Sequence, residues 1–412
     1  MMTPDDIGLL DTPAVREAVS QRLGDDPARI ALERRLPHAA LVATQVKYLQ
    51  RAAAKLPSYR AAECIIPPRA FEQASSEACA AHKEFGGGVC VDLTCGLGVD
   101  SLMLARGFRR VVSVERDEAL AAAARINFRR LGADNIEVVC AAAEDFAASL
   151  AENSADMVYV DPDRRDAAGR RRVRLEECSP DVAGLMEGLL RAAPRVVVKC
   201  SPLFDVDEAF RLFSPLGGVR VEAVSWEGEC REVVVEVSRG GRERRLGAWV
   251  VGRGGVEYSA ADEFVAAGVP DDFAARLEGG CYDRAVLADA ALRKARIGRR
   301  YVGDRYEGAC ASSEGGFVFV PAGAVARSEE PLLGRIFEIR RAERYNPRRV
   351  RRALREWGIT CATLMRHDFP LSAAEVLKAL GLCEGAGPLL AVTAAGGERW
   401  LLELEQEKKM EI

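Results

Sequence analysis

Between residues 86 and 200 the chain alternates five times between a short run rich in β-branched residues and a stretch of helical character, a rhythm that few folds accept. The runs lie at 89–93, 111–114, 136–140, 157–160 and 195–200. Strands that are apolar along their length and separated by helices predict a parallel sheet covered on both faces, an α/β architecture. Two more runs, 221–226 and 232–237, flank Glu227, Gly228 and Glu229 and predict a hairpin added at the sheet edge.

The flanks read differently. Residues 11–81 are helical in pattern, with an alanine-rich amphipathic stretch at 39–56 and breaks at Pro57 and at Pro67 and Pro68. Residues 239–245 are charged and contain glycine, as a linker does, and from 246 onward shorter strands mix with helices in an α+β manner. A last unit begins near 339. It carries a basic helix set off by Pro347, an amphipathic helix at 372–380 and strands at 389–393 and 400–404. A chain of 412 residues, 49% apolar, has material for several cores. The expected units are 1–85, 86–240, 241–338 and 339–412.

Composition removes several functional classes. The first ten residues hold acids and a proline, and no apolar run approaches the roughly 18 residues of a membrane span, so a cytoplasmic chain without membrane contact is expected. Twelve cysteines are scattered singly and read as reduced packing residues. Three histidines lie far apart, so no metal site is expected. A net charge of -4 excludes a uniformly basic nucleic-acid binder, yet arginines cluster at 164–174 and again at 340–355.

The run Val89-Cys-Val-Asp-Leu-Thr-Cys-Gly-Leu-Gly-Val-Asp-Ser101 is a buried strand that turns through two glycines into a helix. Glycine permits positive φ and close backbone approach, and a new helix offers unpaired N–H groups. Dinucleotide sites use the same device. Two residues separate the readings: Ser101 stands where a dinucleotide fingerprint wants a third small residue, and Asp92 would repel a pyrophosphate but accept from a cationic amine. Glu115, at the end of the next strand, is placed for ribose hydroxyls in either reading. Ala141 to Ala143 leave room for a flat base, with Glu144 or Asp145 as acceptors for its amine or, equally, as acids of a first helical turn.

The fourth strand delivers Asp161, Pro162, Asp163, Arg164 and Arg165. Ligands of open α/β sheets sit beyond the carboxyl ends of the strands, so Asp161 is expected in the same crevice as the glycine loop. A carboxylate beside a rigid proline can orient an N–H or O–H, with the Pro162 carbonyl as second acceptor. Arg164, Arg165, Arg171 and Arg172 are then placed to hold phosphates, and with the basic run at 340–355 they suggest a polyanionic substrate, though a solvated loop explains them also. Lys199 and Ser201, after the fifth strand, border the same crevice as substrate contacts or as a capped strand end.

Together, the residues from Asp92 to Ser101, Val114-Glu115, Asp161-Pro-Asp-Arg-Arg165, Lys199-Cys-Ser-Pro202 and Gly228-Glu-Cys-Arg-Glu232 resemble the bacterial class I methyltransferases that carry a THUMP-like C-terminal domain. The similarity runs through Lys55-Leu-Pro-Ser58, Pro67-Pro-Arg69 and Arg366-His-Asp-Phe-Pro-Leu371. It implies a Rossmann-like methyltransferase sheet, a ferredoxin-like middle domain at about 246–337 and a THUMP-like end. It also implies S-adenosylmethionine as cofactor and RNA as partner. On this reading the cofactor-binding residues are Asp92, Thr94, Cys95, Gly96, Gly98, Asp100, Glu115, Arg116, Glu144 and Asp145. Asp161, Pro162, Arg164 and Arg165 carry the reaction, and Lys199, Ser201, Arg171 and Arg172 meet the substrate. Amino-directed nucleic-acid methyltransferases place a second proline and an aromatic ring where this chain has Asp163 and Arg164, so stacking is sought in Phe204 or Trp226. The alternatives are a protein or small-molecule methyltransferase, a non-catalytic RNA-binding factor on the same fold and, distantly, a nicotinamide oxidoreductase.

Overall fold

The computed structural model describes residues 2–163, 175, 178–260, 268–313 and 315–407. Arg164, Arg165, Arg171 and Arg172 therefore lie outside the described residues. The chain divides into two compact units, one of residues 1–221 with 231–244, the other of residues 222–230 with 245–412.

The first unit holds β1 (Gly87–Asp92), β2 (Phe108–Glu115), β3 (Ile136–Cys140), β4 (Met157–Val160), β5 (Arg195–Cys200), the part of β6 (Gly217–Trp226) up to Val221 and the part of β7 (Glu229–Arg239) from Arg231. Their order is β3-β2-β1-β4-β5-β7-β6. The first five pair in parallel, whereas β7 runs antiparallel to β5, with Lys199 opposite Val234. The order reverses at β1, and β1 and β4 end side by side, which sets the crevice where the chain turns from Asp92 and from Val160 into loops. Met157, Val158, Tyr159 and Val160 are all buried, as a central strand covered on both faces requires.

The N-terminal region is helical, but its prolines act as starts, not ends. Pro57 and Pro68 open the helices Pro57–Ala61 and Pro68–Gln73, where the missing N–H has no partner to lose. Helix Ala39–Lys55 buries Val42, Val46 and Leu49 in a core shared with Leu97, Val99, Leu102 and Phe128. This region thus packs on the glycine loop and the helices that follow it.

In the second unit the remaining strands are β8 (Arg244–Val250), β9 (Gly254–Ser259), β10 (Tyr282–Ala288), β11 (Val318–Pro321), β12 (Gly334–Arg344), β13 (Cys361–Arg366), β14 (Cys383–Ala395) and β15 (Glu398–Gln406). β8 and β9 form an antiparallel hairpin. The other six build one sheet, ordered β11-β10-β12-β15-β14-β13. The expected break at 338 falls inside β12, which pairs with β10 on one side and β15 on the other, so the middle and terminal units share a sheet. Helix Ala373–Leu380 carries the capping box of Ser372 and Glu375 and buries Val376, Leu377 and Leu380. No helix of the described residues is long and apolar enough to cross a membrane. None of the twelve cysteines is joined in a disulfide.

Candidate active site

Beyond the ends of β1, β2, β4 and β5 lies a cavity of about 700 Å³ within the first unit, of a size that admits a nucleoside-sized ligand. Thr94, Cys95, Gly96, Gly98, Asp100, Glu115, Arg116, Glu144, Asp161, Pro162, Lys199 and Ser201 all line it. Asp92 and Asp145 do not.

The glycine loop is held by specific bonds. Gly96 has φ 56° and donates its N–H to Glu115 Oε2 at 2.9 Å, while Asp117 N–H meets Glu115 Oε1 at 2.9 Å. The acid at the end of β2 is thereby fixed at the cavity wall with lone pairs to spare. A Cβ built on Gly96 meets nothing closer than 3.9 Å, so that glycine leaves open space above the loop. Gly98 is glycine for another reason: at φ 89° its Cβ would lie 2.5 Å from the Phe128 ring. Close helix packing, not ligand approach, dictates that position.

Asp92 does not face the cavity. It is 1% exposed, and its oxygens accept from Thr94 N–H at 2.9 Å and from Ser101 Oγ at 2.5 Å. Ser113 donates in turn to Ser101 at 2.9 Å. Burial pushes the Asp92 carboxyl up to about 7, against the Ser101 and Thr94 bonds, with Asp100 and Asp161 adding to the rise. Ser101, read from sequence only as a departure from the dinucleotide pattern, is the residue that holds Asp92. Thr94 links the halves of the site, since its Oγ1 accepts from Asp161 N–H at 2.6 Å.

Asp100, expected to meet a cofactor directly, is committed to a buried charge network. Its Oδ1 takes Lys83 at 2.7 Å, and its Oδ2 takes Ser75 Oγ at 2.9 Å and Lys199 at 3.3 Å. Lys83 pairs on its other side with Glu232 at 2.7 Å, and Lys199 pairs with Asp161 and with Ser75 Oγ, the latter at 2.7 Å. Signs alternate along Glu232, Lys83, Asp100, Lys199 and Asp161. Burial opposes the charge of Asp100, but Lys199 and Lys83 outweigh it and hold the carboxylate well below its usual range. Burial likewise opposes the Lys199 ammonium, but Asp100, Asp161 and Glu232 hold it well above the usual lysine range. At Asp161 burial dominates over Lys199, and the carboxyl is raised.

Lys83, Ser75 and Glu232 were not singled out from sequence as site residues. Their signal is tertiary: a lysine outside any regular element, a loop serine and an acid on β7 meet only when the sheet closes. Arg69, in a quoted motif, lines the cavity and lies 3.7 Å from Asp163. Phe204 is 2% exposed and cannot stack on a substrate, while Trp226 belongs to the second unit. Among the described residues no Phe, Tyr or Trp lines the cavity.

The second basic run is largely neutralised within its own unit. Arg340 pairs with Glu338 and Glu405, Arg341 with Glu403, Arg344 with Glu278 and Glu398, Arg349 with Glu343, and Arg352 with Glu356. Sequence showed two counterweights, Glu343 and Glu356. The others are Glu338, two residues before Arg340 on β12, and acids on β15 and on helix Phe273–Glu278. Arg348 and Arg355 have no ion pair among the described residues.

Residues 90–168 match the family described as a methyltransferase domain, and residues 334–406 match the family described as THUMP domain-like. The chain has a class I methyltransferase fold with a THUMP-like domain. The crystal structure of a putative methyltransferase from Porphyromonas gingivalis superposes with a TM-score of 0.77, covering 96% of this chain and 98% of that one at 22% identity, which speaks to fold. An uncharacterised S-adenosylmethionine-dependent methyltransferase of Mycobacterium tuberculosis is 32% identical over 190 residues, 44% of this chain and 49% of the relative. A 23S rRNA uracil C5-methyltransferase of Aeromonas salmonicida is 33% identical over 117 residues, 27% of this chain and 23% of the relative. The chain thus spans about half the length of the first of these relatives and less of the other.

Proposed function

We propose that this protein is an S-adenosylmethionine-dependent methyltransferase that acts on RNA in the cytoplasm. The observation that carries the reading is the Gly96 to Glu115 bond. It joins the glycine loop to the acid at the end of β2 on one wall of a cavity whose other wall holds Asp161 and Lys199. The residues fit the cofactor: Glu115 for ribose hydroxyls, the open backbone at Gly96 for the amino-acid end, and Ala143 with Glu144 for the adenine. When bound, the cofactor supplies an electrophilic methyl on a sulfonium, and the protein's task is to align an acceptor with it.

RNA as substrate is supported by the THUMP-like match and by relatives named as RNA methyltransferases. Arg164, Arg165, Arg171 and Arg172 remain the candidate phosphate contacts beside Asp161. We also propose functional limits at 86–240 for the methyltransferase domain, with residues 1–85 as a helical region that completes the cavity through Arg69 and Ser75, and with the ferredoxin-like and THUMP-like parts meeting within β12. Mass analysis of nucleosides from strains with and without the gene tests the reading. It predicts one methylated nucleoside lost from RNA on deletion, and an unchanged RNA profile contradicts it.

A further inference from the structure

The cavity end formed by Asp161, Lys199 and Ser75 presents an acceptor and a donor side by side, and this pairing bears on the chemistry of the methyl acceptor. Asp161 meets Lys199 through Oδ2, its side chain is 33% exposed and it lines the cavity, which leaves Oδ1 as the oxygen for an incoming donor. Lys199 spends its three N–H bonds on Asp161, Ser75 at 2.7 Å and Asp100 at 3.3 Å. The last is the loosest, and an ammonium can turn that N–H to a new oxygen.

We infer that the methyl acceptor is a hydroxyl group, in RNA the ribose 2′-hydroxyl, oriented by donation to Asp161 and by acceptance from Lys199. This rests on the RNA reading above. A hydroxyl carries one donor and two lone pairs, so it satisfies Asp161 and Lys199 together and keeps one lone pair for the methyl. A base amine has a single lone pair, for which a protonated lysine would compete with the methyl. No aromatic ring among the described residues lines the cavity to hold a base plane. Carbon 5 of a pyrimidine becomes nucleophilic only after a thiolate adds to its neighbour. Among the described residues the one cysteine on the wall is Cys95, which is 6% exposed, with a thiol that burial pushes well above its ordinary range.

In the transfer an O–C bond forms, the S–C bond breaks to leave a neutral thioether, and the hydroxyl proton passes to Asp161, which later yields it to water. The network behind the pair suits these roles. Three carboxylates against two lysines keep Lys199 protonated as a donor, so Asp161, raised by burial, is the group that takes the proton. Lys83 and Glu232 do not line the cavity and act as positioning residues, holding Asp100 beside Lys199.

The test uses methyl-tritiated S-adenosylmethionine, purified full-length protein and lysate from a strain lacking the gene as the acceptor mixture, followed by fractionation and alkaline hydrolysis of RNA. The expected result is label in alkali-stable dinucleotides, since a 2′-methyl ether blocks cleavage. Label in RNA on a base nitrogen or carbon overturns the inference and leaves the RNA reading standing. Label in protein or metabolites instead overturns the RNA reading, and the attached atom, oxygen or not, still decides the hydroxyl. Lys199→Met should lower transfer at least about 100-fold while S-adenosylhomocysteine binding changes less than about threefold. Asp161→Asn, which keeps the side-chain size and removes the proton acceptor, serves where the first variant fails to fold, and wild-type transfer in it overturns the proton transfer to Asp161.

Discussion

Ser101 donates to the buried Asp92 carboxylate at 2.5 Å and accepts from Ser113 at 2.9 Å, so the residue that departs from the dinucleotide pattern is the one that anchors the first strand's acid. Asp92 accordingly acts from beneath the loop. It shapes Thr94, whose hydroxyl in turn positions Asp161.

A pH dependence follows. The folded carboxyl of Asp92 is raised to about 7 from an ordinary value of 3.8, so the native state holds a proton that the unfolded chain has lost between those values. Stability from this group is therefore highest at low pH and falls as pH rises from about 4 to 7, by at most about 4 kcal/mol at 1.36 kcal/mol per unit. Chemical denaturation of Asp92→Asn and wild type across pH 4 to 8 should show the difference moving in the variant's favour through that window and flat above it. A difference that does not change with pH contradicts the assignment.

Gly98→Ala should destabilise the first unit. The substitution combines a strained positive φ with a Cβ lying 2.5 Å from Phe128, and about 1 to 3 kcal/mol is expected for such overpacking. Gly132→Ala, at φ 68° with nothing within 4 Å, should cost less. Equal losses in urea denaturation contradict the packing account.

Lys83→Met removes a side chain that is 1% exposed and leaves Asp100 and Glu232 facing each other without it. Breaking a buried pair in this way costs about 3 to 5 kcal/mol, and replacing both Lys83 and Glu232 by uncharged residues should recover much of that. Thermal melts of the single and double variants check the coupling, and simple additivity contradicts the network.

Of the basic run, Arg348 and Arg355 should contribute to RNA affinity, and Arg340 and Arg341, already paired with Glu405 and Glu403, should contribute little. Replacing the first two by Ala should reduce the slope of log affinity against log salt by roughly 1 to 2, while the second pair leaves it nearly unchanged. Filter binding over a salt series measures both, and a larger change in the second pair contradicts the split.

The parallel order, the turn through Gly96 and Gly98 and the arrival of Asp161 and Lys199 at one crevice were legible in sequence, because each depends on local periodicity and on the rule that ligands sit at strand ends. What was hidden depends on contacts between distant segments. The ion pairs of Arg340, Arg341 and Arg344 come from acids on β15 and on helix Phe273–Glu278, so a run that reads as free charge is largely spent. The burial of Asp92 and Phe204 follows from packing, which a motif does not reveal. The sharing of one sheet across residue 338 was not legible because β12 runs as one strand from Gly334 to Arg344 through that position, with a register shift against β15 between Ile339 and Arg341.

The central claim is met most directly by isothermal titration of S-adenosylhomocysteine into wild type and Glu115→Ala. The account predicts saturable binding to the wild type and a loss of about 1 to 3 kcal/mol in the variant, the range for charge-assisted bonds. Absence of binding to the folded wild type, or equal affinity in the two proteins, would contradict it.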